Sequence, residues 1–227
     1  MTITDNLRII GERIRAAEQR YGREPHSVKL IAVSKHQPTT AIQEAYQAGQ
    51  VAFGENYVQE MQEKSEALAN PPIEWHFIGP IQSNKTKTIA ELASWVHSID
   101  RLKIAQRLSE QRPTHLPPLQ VCIQVNLSQE ASKSGVSLDE VEPLAKAIQC
   151  LPKLKLRGLM AIPAPCNDFE SQRVVFRQLN QLKNHLNTQG FALDTLSMGM
   201  TDDMEAAIAE GATHVRIGTA IFGARTY

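Results

Sequence analysis

The 227-residue chain has only three cysteines, Cys122, Cys150 and Cys166. They show no paired CxxC spacing and no disulfide-rich setting, which excludes a disulfide scaffold and points to a reduced intracellular compartment. His97, His115 and His185 add no ligand spacing to them, so no metal is expected. Charge of one sign is lacking as well: Lys plus Arg equals Asp plus Glu, 24 against 24, with a pI near 7.1. No general attraction to nucleic acid or an anionic membrane follows from that balance. No apolar run is long enough to cross a bilayer, and Met1 to Leu7 lacks the basic and then apolar character of a secretory signal. A soluble cytoplasmic protein is the expectation. No Gly-x-Gly-x-x-Gly follows the first apolar strand, and a Walker phosphate loop is absent, so the dinucleotide and nucleoside triphosphate fingerprints are missing.

What is present is a regular alternation of short apolar runs and amphipathic segments. A first helix is expected with Thr4 as its cap and an apolar face of Ile9, Ile10, Ile14 and Ala17, up to the turn around Tyr21 to Pro25. Strands are predicted at Lys29 to Val33, Val51 to Gly54, Ile73 to Ile78, Trp95 to Ile99, Leu119 to Asn126, Leu154 to Met160, Leu193 to Leu196 and His214 to Ile217. Between them the pattern predicts helices after Pro38, from Glu55 to Asn70, Asn84 to Ala93, Arg101 to Gln111, Leu138 to Cys150, Phe169 to Asn187 and Asp203 to Glu210. The polar segment Gln129 to Ser137 reads as a surface loop. Eight strands alternating with helices fit a closed (β/α)8 barrel, a TIM barrel with an additional N-terminal helix, as one domain over residues 1–227. The competing architecture is an open doubly wound sheet.

In a barrel the residues just after the strands collect at one face, and Lys35, Asn56, His76, Asn126, Met160, Ser197 and Arg216 lie at or beside those ends. Ile31, Val33 and Lys35 share one side of the first strand, so the lysine continues a row of two core residues. An amine at an apolar mouth can lose its proton and form an imine with an aldehyde, although a lysine closing a strand is ordinarily just solvated. Arg216 has the parity of His214; it enters the mouth either to meet an anion or ligand or as half of a structural ion pair. Asn56 reads as a ligand contact or as a helix cap, and His76 as a hydrogen-bonded core residue or as an acid or base.

The loops after the last two strands suggest an anion site. Gly199 and Gly218 permit close backbone approach, and Ser197 and Thr219 offer hydroxyl donors, in the two units that often bind phosphate in barrels. The same residues also suit plain strand ends and helix caps.

Across nearly its whole length the chain resembles the pyridoxal phosphate homeostasis proteins, whose domain looks like the N-terminal barrel of alanine racemase. The resemblance is carried in order by Ala32 to Lys35, Phe53 to Glu60, His76 to Gly79, Gly158 to Met160, Leu196 to Met200 and Arg216 to Gly223. It implies pyridoxal 5'-phosphate (PLP) bound as an internal aldimine on Lys35, a phosphate cradle of Ser197, Gly218 and Thr219, and Arg216 facing the pyridine nitrogen. Asn56, His76 and Met160 are implied as further pocket residues. Thr201 departs from the serine that relatives often carry, but keeps the hydroxyl.

The function implied is intracellular cofactor supply or buffering, with effects on amino-acid and keto-acid balance, rather than turnover. The alternative is an amino-acid racemase or transaminase-like enzyme, for which Tyr57 and Tyr227 are the phenols to consider. PLP-dependent apoenzymes are the implied recipients, with no nucleic-acid or membrane partner, and an open one-domain mouth suits a monomer.

Overall fold

The computed structural model describes residues 1–69, 72–128 and 134–223. The predicted helix end at Asn70, most of the predicted loop from Gln129 and the candidate Tyr227 lie outside the described residues. Eight parallel strands close a barrel in sequence order: β1 (Lys29–Val33), β2 (Ala52–Glu55), β3 (Glu74–Phe77), β4 (Trp95–Ile99), β5 (Leu119–Gln124), β6 (Leu154–Met160), β7 (Thr195–Ser197) and β8 (His214–Ile217). Closure is direct, with Lys29 to Ala32 of β1 in register with His214 to Ile217 of β8. The open-sheet alternative is thereby excluded.

The helices are α1 (Ile3–Arg20), α2 (Thr39–Gln47), α3 (Val58–Ala67), α4 (Thr86–Leu92), α5 (Leu102–Gln111), α6 (Leu138–Gln149), α7 (Phe169–Thr188), α8 (Met204–Ala209) and α9 (Thr219–Phe222). Helix α1 buries Ile10, Ile14 and Ala17 against the outside of the barrel and packs on α2, α8 and α9. Its start corrects the expected cap. Thr2, not Thr4, accepts the Asp5 N–H at 3.1 Å, while the Asp5 carboxylate accepts the Thr2 N–H in return.

Strands β2, β3, β5 and β7 also differ from expectation by a residue or two at their ends. Glu55 belongs to β2 and not to the following helix, because its fully buried carboxylate accepts bonds from Ser34 and Lys64, which hold the backbone extended. Strand β7 runs Thr195–Ser197 rather than from Leu193, since the Leu193 N–H and C=O are taken by the Asn187 side chain at the end of α7.

Strand alternation divides the interior in two. Ala32, Phe53, Phe77, Val96, Val121, Leu159, Leu196 and Val215 join the apolar layer beneath the helices. The opposite parity holds Trp95, Cys122 and Met160 as a separate apolar cluster, together with buried His76, His97, Ser197, His214 and Arg216. The barrel interior is therefore unusually polar for a packed core, and Arg216 connects it to the site.

Candidate functional site

A cavity opens at the C-terminal ends of the strands, lined by Val33, Lys35, Gln37, Asn56, Ile78, Ile162, Met200, Thr201, Arg216, Gly218, Thr219 and Gly223. Lys35 is half-buried in the turn after β1, and that turn is held from below. Ser34 accepts the Lys64 ammonium on its carbonyl at 2.7 Å and donates its hydroxyl to Glu55 at 2.6 Å. On the other side of the lysine, His36 stands at φ 62°, a left-handed conformation uncommon for a side-chain-bearing residue. Its N–H donates to Glu60 at 2.8 Å, and Lys64 bridges Glu60 and Glu55, each at 2.8 Å. Burial pushes the Glu55 carboxyl up against the pull of Lys64, whereas the Lys64 and His36 contacts hold Glu60 below the usual carboxylate range despite its partial burial.

On β8, the strand that neighbours β1, Arg216 is 4% exposed. Its guanidinium donates to the Ser197 hydroxyl at 2.6 Å and to the Ala161 carbonyl at 3.0 Å, and burial lowers its pKa to about 10, so it remains a cation at neutral pH. The loop after β7 is tied to β8 by the Arg216 N–H donating to the Gly199 carbonyl at 2.9 Å. Gly199 itself has φ 99° and faces Ala207 so closely that a Cβ would sit 2.7 Å from that methyl. The Asp203 carboxylate closes the same loop by accepting the Met200 N–H at 2.6 Å.

Of the candidate site residues read from the sequence, Lys35, Asn56, Arg216, Gly218 and Thr219 meet at this cavity. His76, Met160, Ser197 and Gly199 are buried behind it. Ser197 spends its hydroxyl between Arg216 and His97, at 2.6 and 2.7 Å. Met160 packs on Trp95 and Cys122, and His76 contacts Glu74 and His97 at 2.6 and 2.8 Å. Thr201, notable in the sequence only as a departure from the family's serine, also lines the cavity, and His97, considered there only as a metal ligand, lies behind it. The parity of His97 on β4 was the available signal, since it is the parity that points inward. Among the described residues no group of three or more His, Cys, Asp or Glu could hold a metal ion, and no helix is long and apolar enough to cross a membrane.

A lysine after β1, an arginine from β8 and a Gly-Thr helix start on one barrel mouth define a barrel of the alanine racemase N-terminal type, and the family model of the alanine racemase N-terminal domain matches residues 6–226. The chain is 59% identical over 226 residues to the pyridoxal phosphate homeostasis protein of Pseudomonas aeruginosa, covering 100% of this chain and 97% of that protein. It is 55% identical over 228 residues to the protein of the same description from Escherichia coli, covering 99% and 97%. It is similar to the solved structure of PipY from Synechococcus elongatus with PLP bound, at TM-score 0.84 and 35% identity over 98% of this chain and 100% of that one. The chain belongs to the pyridoxal phosphate homeostasis protein family.

Proposed function

We propose that this protein binds PLP at the C-terminal mouth of the barrel, with the Lys35 amine as its covalent anchor, and that it stores or supplies the cofactor rather than turning over a substrate. The observation that carries the reading is the convergence of Lys35, Arg216 and Gly218-Thr219 on one cavity. The residues present fit the group. Asn56 lines the cavity and its Oδ1 is buried with no hydrogen-bond partner among the described residues, as expected of an acceptor awaiting a ligand donor. Bound PLP supplies an aldehyde that reacts reversibly with amines and a ring that delocalises negative charge.

The chain's own residues divide the work. Gly218 and Thr219 lie where α9 begins, with Thr201 lining the same cavity, and the first N–H groups of a helix have no partner in its own body, so a phosphate is held there. Arg216 faces the ring nitrogen. A guanidinium offers only donors and its charge opposes protonation of that nitrogen, so the site weakens the ring as an electron sink and disfavours carbanion chemistry. Ser34 and His36, tied to Lys64 and Glu60, fix the turn that aims the Lys35 amine.

Purified protein should show a visible absorption band, and borohydride reduction followed by peptide mass spectrometry should place a pyridoxyl adduct on Lys35. An adduct-free Lys35 peptide from protein that holds the cofactor would reject the anchor. Lys35→Ala should abolish the adduct and retain weaker binding through the phosphate contacts. Storage and supply are tested by mixing isotope-labelled holoprotein with a PLP-dependent apoenzyme, with and without a scavenger of free cofactor. No transfer under either condition would remove the supply role. Multiple turnover of D- or L-amino acids would instead establish the racemase or transaminase reading.

A further inference from the structure

An unbroken line of hydrogen bonds crosses the barrel behind the cavity. It begins at Arg216 on β8 and passes through Ser197 on β7 (2.6 Å), His97 on β4 (2.7 Å) and His76 on β3 (2.8 Å) to Glu74 (2.6 Å). Glu74 and its partner Lys29 stand at the first residues of β3 and β1, the mouth opposite Lys35. Ser197, His76 and His97 are completely shielded from solvent.

The two ends of this line fix every proton along it. Arginine can only donate, so the Ser197 oxygen accepts from it, and because Glu74 at the other end only accepts, the Ser197 hydroxyl hydrogen goes to His97 Nδ1. Since His97 Nδ1 then accepts, His97 carries its proton on Nε2 and donates it to His76 Nδ1. His76 carries its proton on Nε2 and donates it to the Glu74 carboxylate. The reverse assignment would need a proton on Glu74 or a second proton on His76. Contacts with His76 and Lys29 hold Glu74 near 2 despite its burial, and burial drives both histidines below their ordinary value. The surroundings oppose a second proton too: Lys29, His214 and Arg216 are the basic groups around the histidines, and Glu74 is the carboxylate that faces them.

We propose that Ser197, His97, His76 and Glu74 form a polarised positioning relay for Arg216, fixing the guanidinium in one orientation and coupling the charge at the far mouth of the barrel to the cavity. Given the placement of PLP argued above, on which this consequence rests, Glu74 tunes the electrostatics at the cofactor's ring nitrogen although it does not line the cavity.

The relay is tested first in the cofactor-free full chain, by nitrogen-15 NMR of the histidine rings at neutral pH. His76 and His97 should both be neutral, with Nε2 protonated and Nδ1 bare. A proton on Nδ1 of either ring overturns the relay. In Glu74→Gln the far end becomes an amide that can accept or donate, and the His76 and His97 ring nitrogens should shift toward values averaged between tautomers. Unchanged shifts would show that Glu74 does not polarise the line. Ser197→Ala provides a second variant that cuts the line at its other end: Glu74 still holds both rings protonated on Nε2, while His97 Nδ1 loses its donor and should shift, and an unmoved His97 Nδ1 would show that Ser197 is not its partner. In holoprotein, Glu74→Gln should displace the visible absorption maximum of bound PLP while leaving competition by inorganic phosphate unaltered. Superimposable spectra would overturn the coupling to the cavity. A wild-type protein that takes up no PLP would overturn the cofactor assignment instead, and the ring-nitrogen shifts alone would then decide the relay.

Discussion

At the scale of single residues, one close approach of the backbone joins two loops of the site. Gly79, which follows β3, lies so near the loop after β2 that a Cβ there would fall 2.1 Å from the Asn56 carbonyl oxygen. Relief requires moving backbone, and the segment that must move carries a cavity residue. Gly79→Ala is therefore expected to lower stability by about 1–3 kcal/mol, the usual range for overpacking, and to weaken ligand binding at the same time. Urea unfolding and a PLP titration on one sample check both, and unaltered values in the two measurements would show that the loop yields freely. The motif His76 to Gly79 thus combines an inward polar group with a glycine that seats a neighbouring loop. Only the presence of these residues was legible from the sequence, because the Asn56 carbonyl that Gly79 faces is 23 residues away.

At the scale of elements, the exits of β1 and β2 are clamped from α3 by one buried ammonium. Lys64 reaches Ser34, Glu55 and Glu60 and has a side-chain exposure of 8%, while that of Glu55 is 0%. Removing the lysine would leave Glu55 buried beside no cation. Lys64→Met is expected to cost about 3–5 kcal/mol, the range for breaking a buried pair from one side. The double change Lys64→Met with Glu55→Gln should recover a substantial part of that loss. Denaturant midpoints across the set check this, and an additive double variant would mean that the two groups do not act as a pair. The rate of borohydride trapping at Lys35 should fall in Lys64→Met as well, because the turn carrying Lys35 loses its anchor. A second element-level feature is the division of labour around the barrel. Helix α9 after β8 has only four residues, and α1 packs between α8 and α2 to cover the closing strands.

At the scale of the whole molecule, a polar barrel interior makes stability depend on acidity. Burial lowers the His214 imidazole to about 3 and places His76 and His97 below their ordinary value, so the unfolded chain binds more protons than the native one once the pH drops under about 6.5. Stability from these rings is complete above that value and lost as the pH falls toward 3. Glu74, held at about 2, acts in the same direction, with its contribution present above about 4.5 and lost as the pH falls through its native value. Glu55, pushed up by burial, opposes them, since its contribution is present below the ordinary carboxylate value and lost as pH rises through its own. With three imidazoles and Glu74 against the two carboxyls that burial raises, Glu55 and Asp203, the melting temperature is expected to fall steadily from pH 6.5 to pH 3. A melting temperature constant between pH 6.5 and 4.5 would contradict that account. His214→Asn should flatten the upper part of the curve.

The sequence by itself determined the alternation of eight strands with helices, the lysine after the first strand, and the Arg-Ile-Gly-Thr exit from the last. These are local signals: strand period, glycine and proline punctuation, and residue types with restricted chemistry. Its strand ends drifted by a residue or two where a long-range bond set the boundary, as Lys64 does for Glu55 and Asn187 for Leu193. Only the tertiary structure decided that Ser197 serves Arg216 and His97, and that His76, His97 and Glu74 make one line across the interior. The physical reason is closure. Joining β8 to β1 brings inward-facing positions separated by as many as 100 residues into hydrogen-bond contact, and nothing in the order of residues along the chain records those distances.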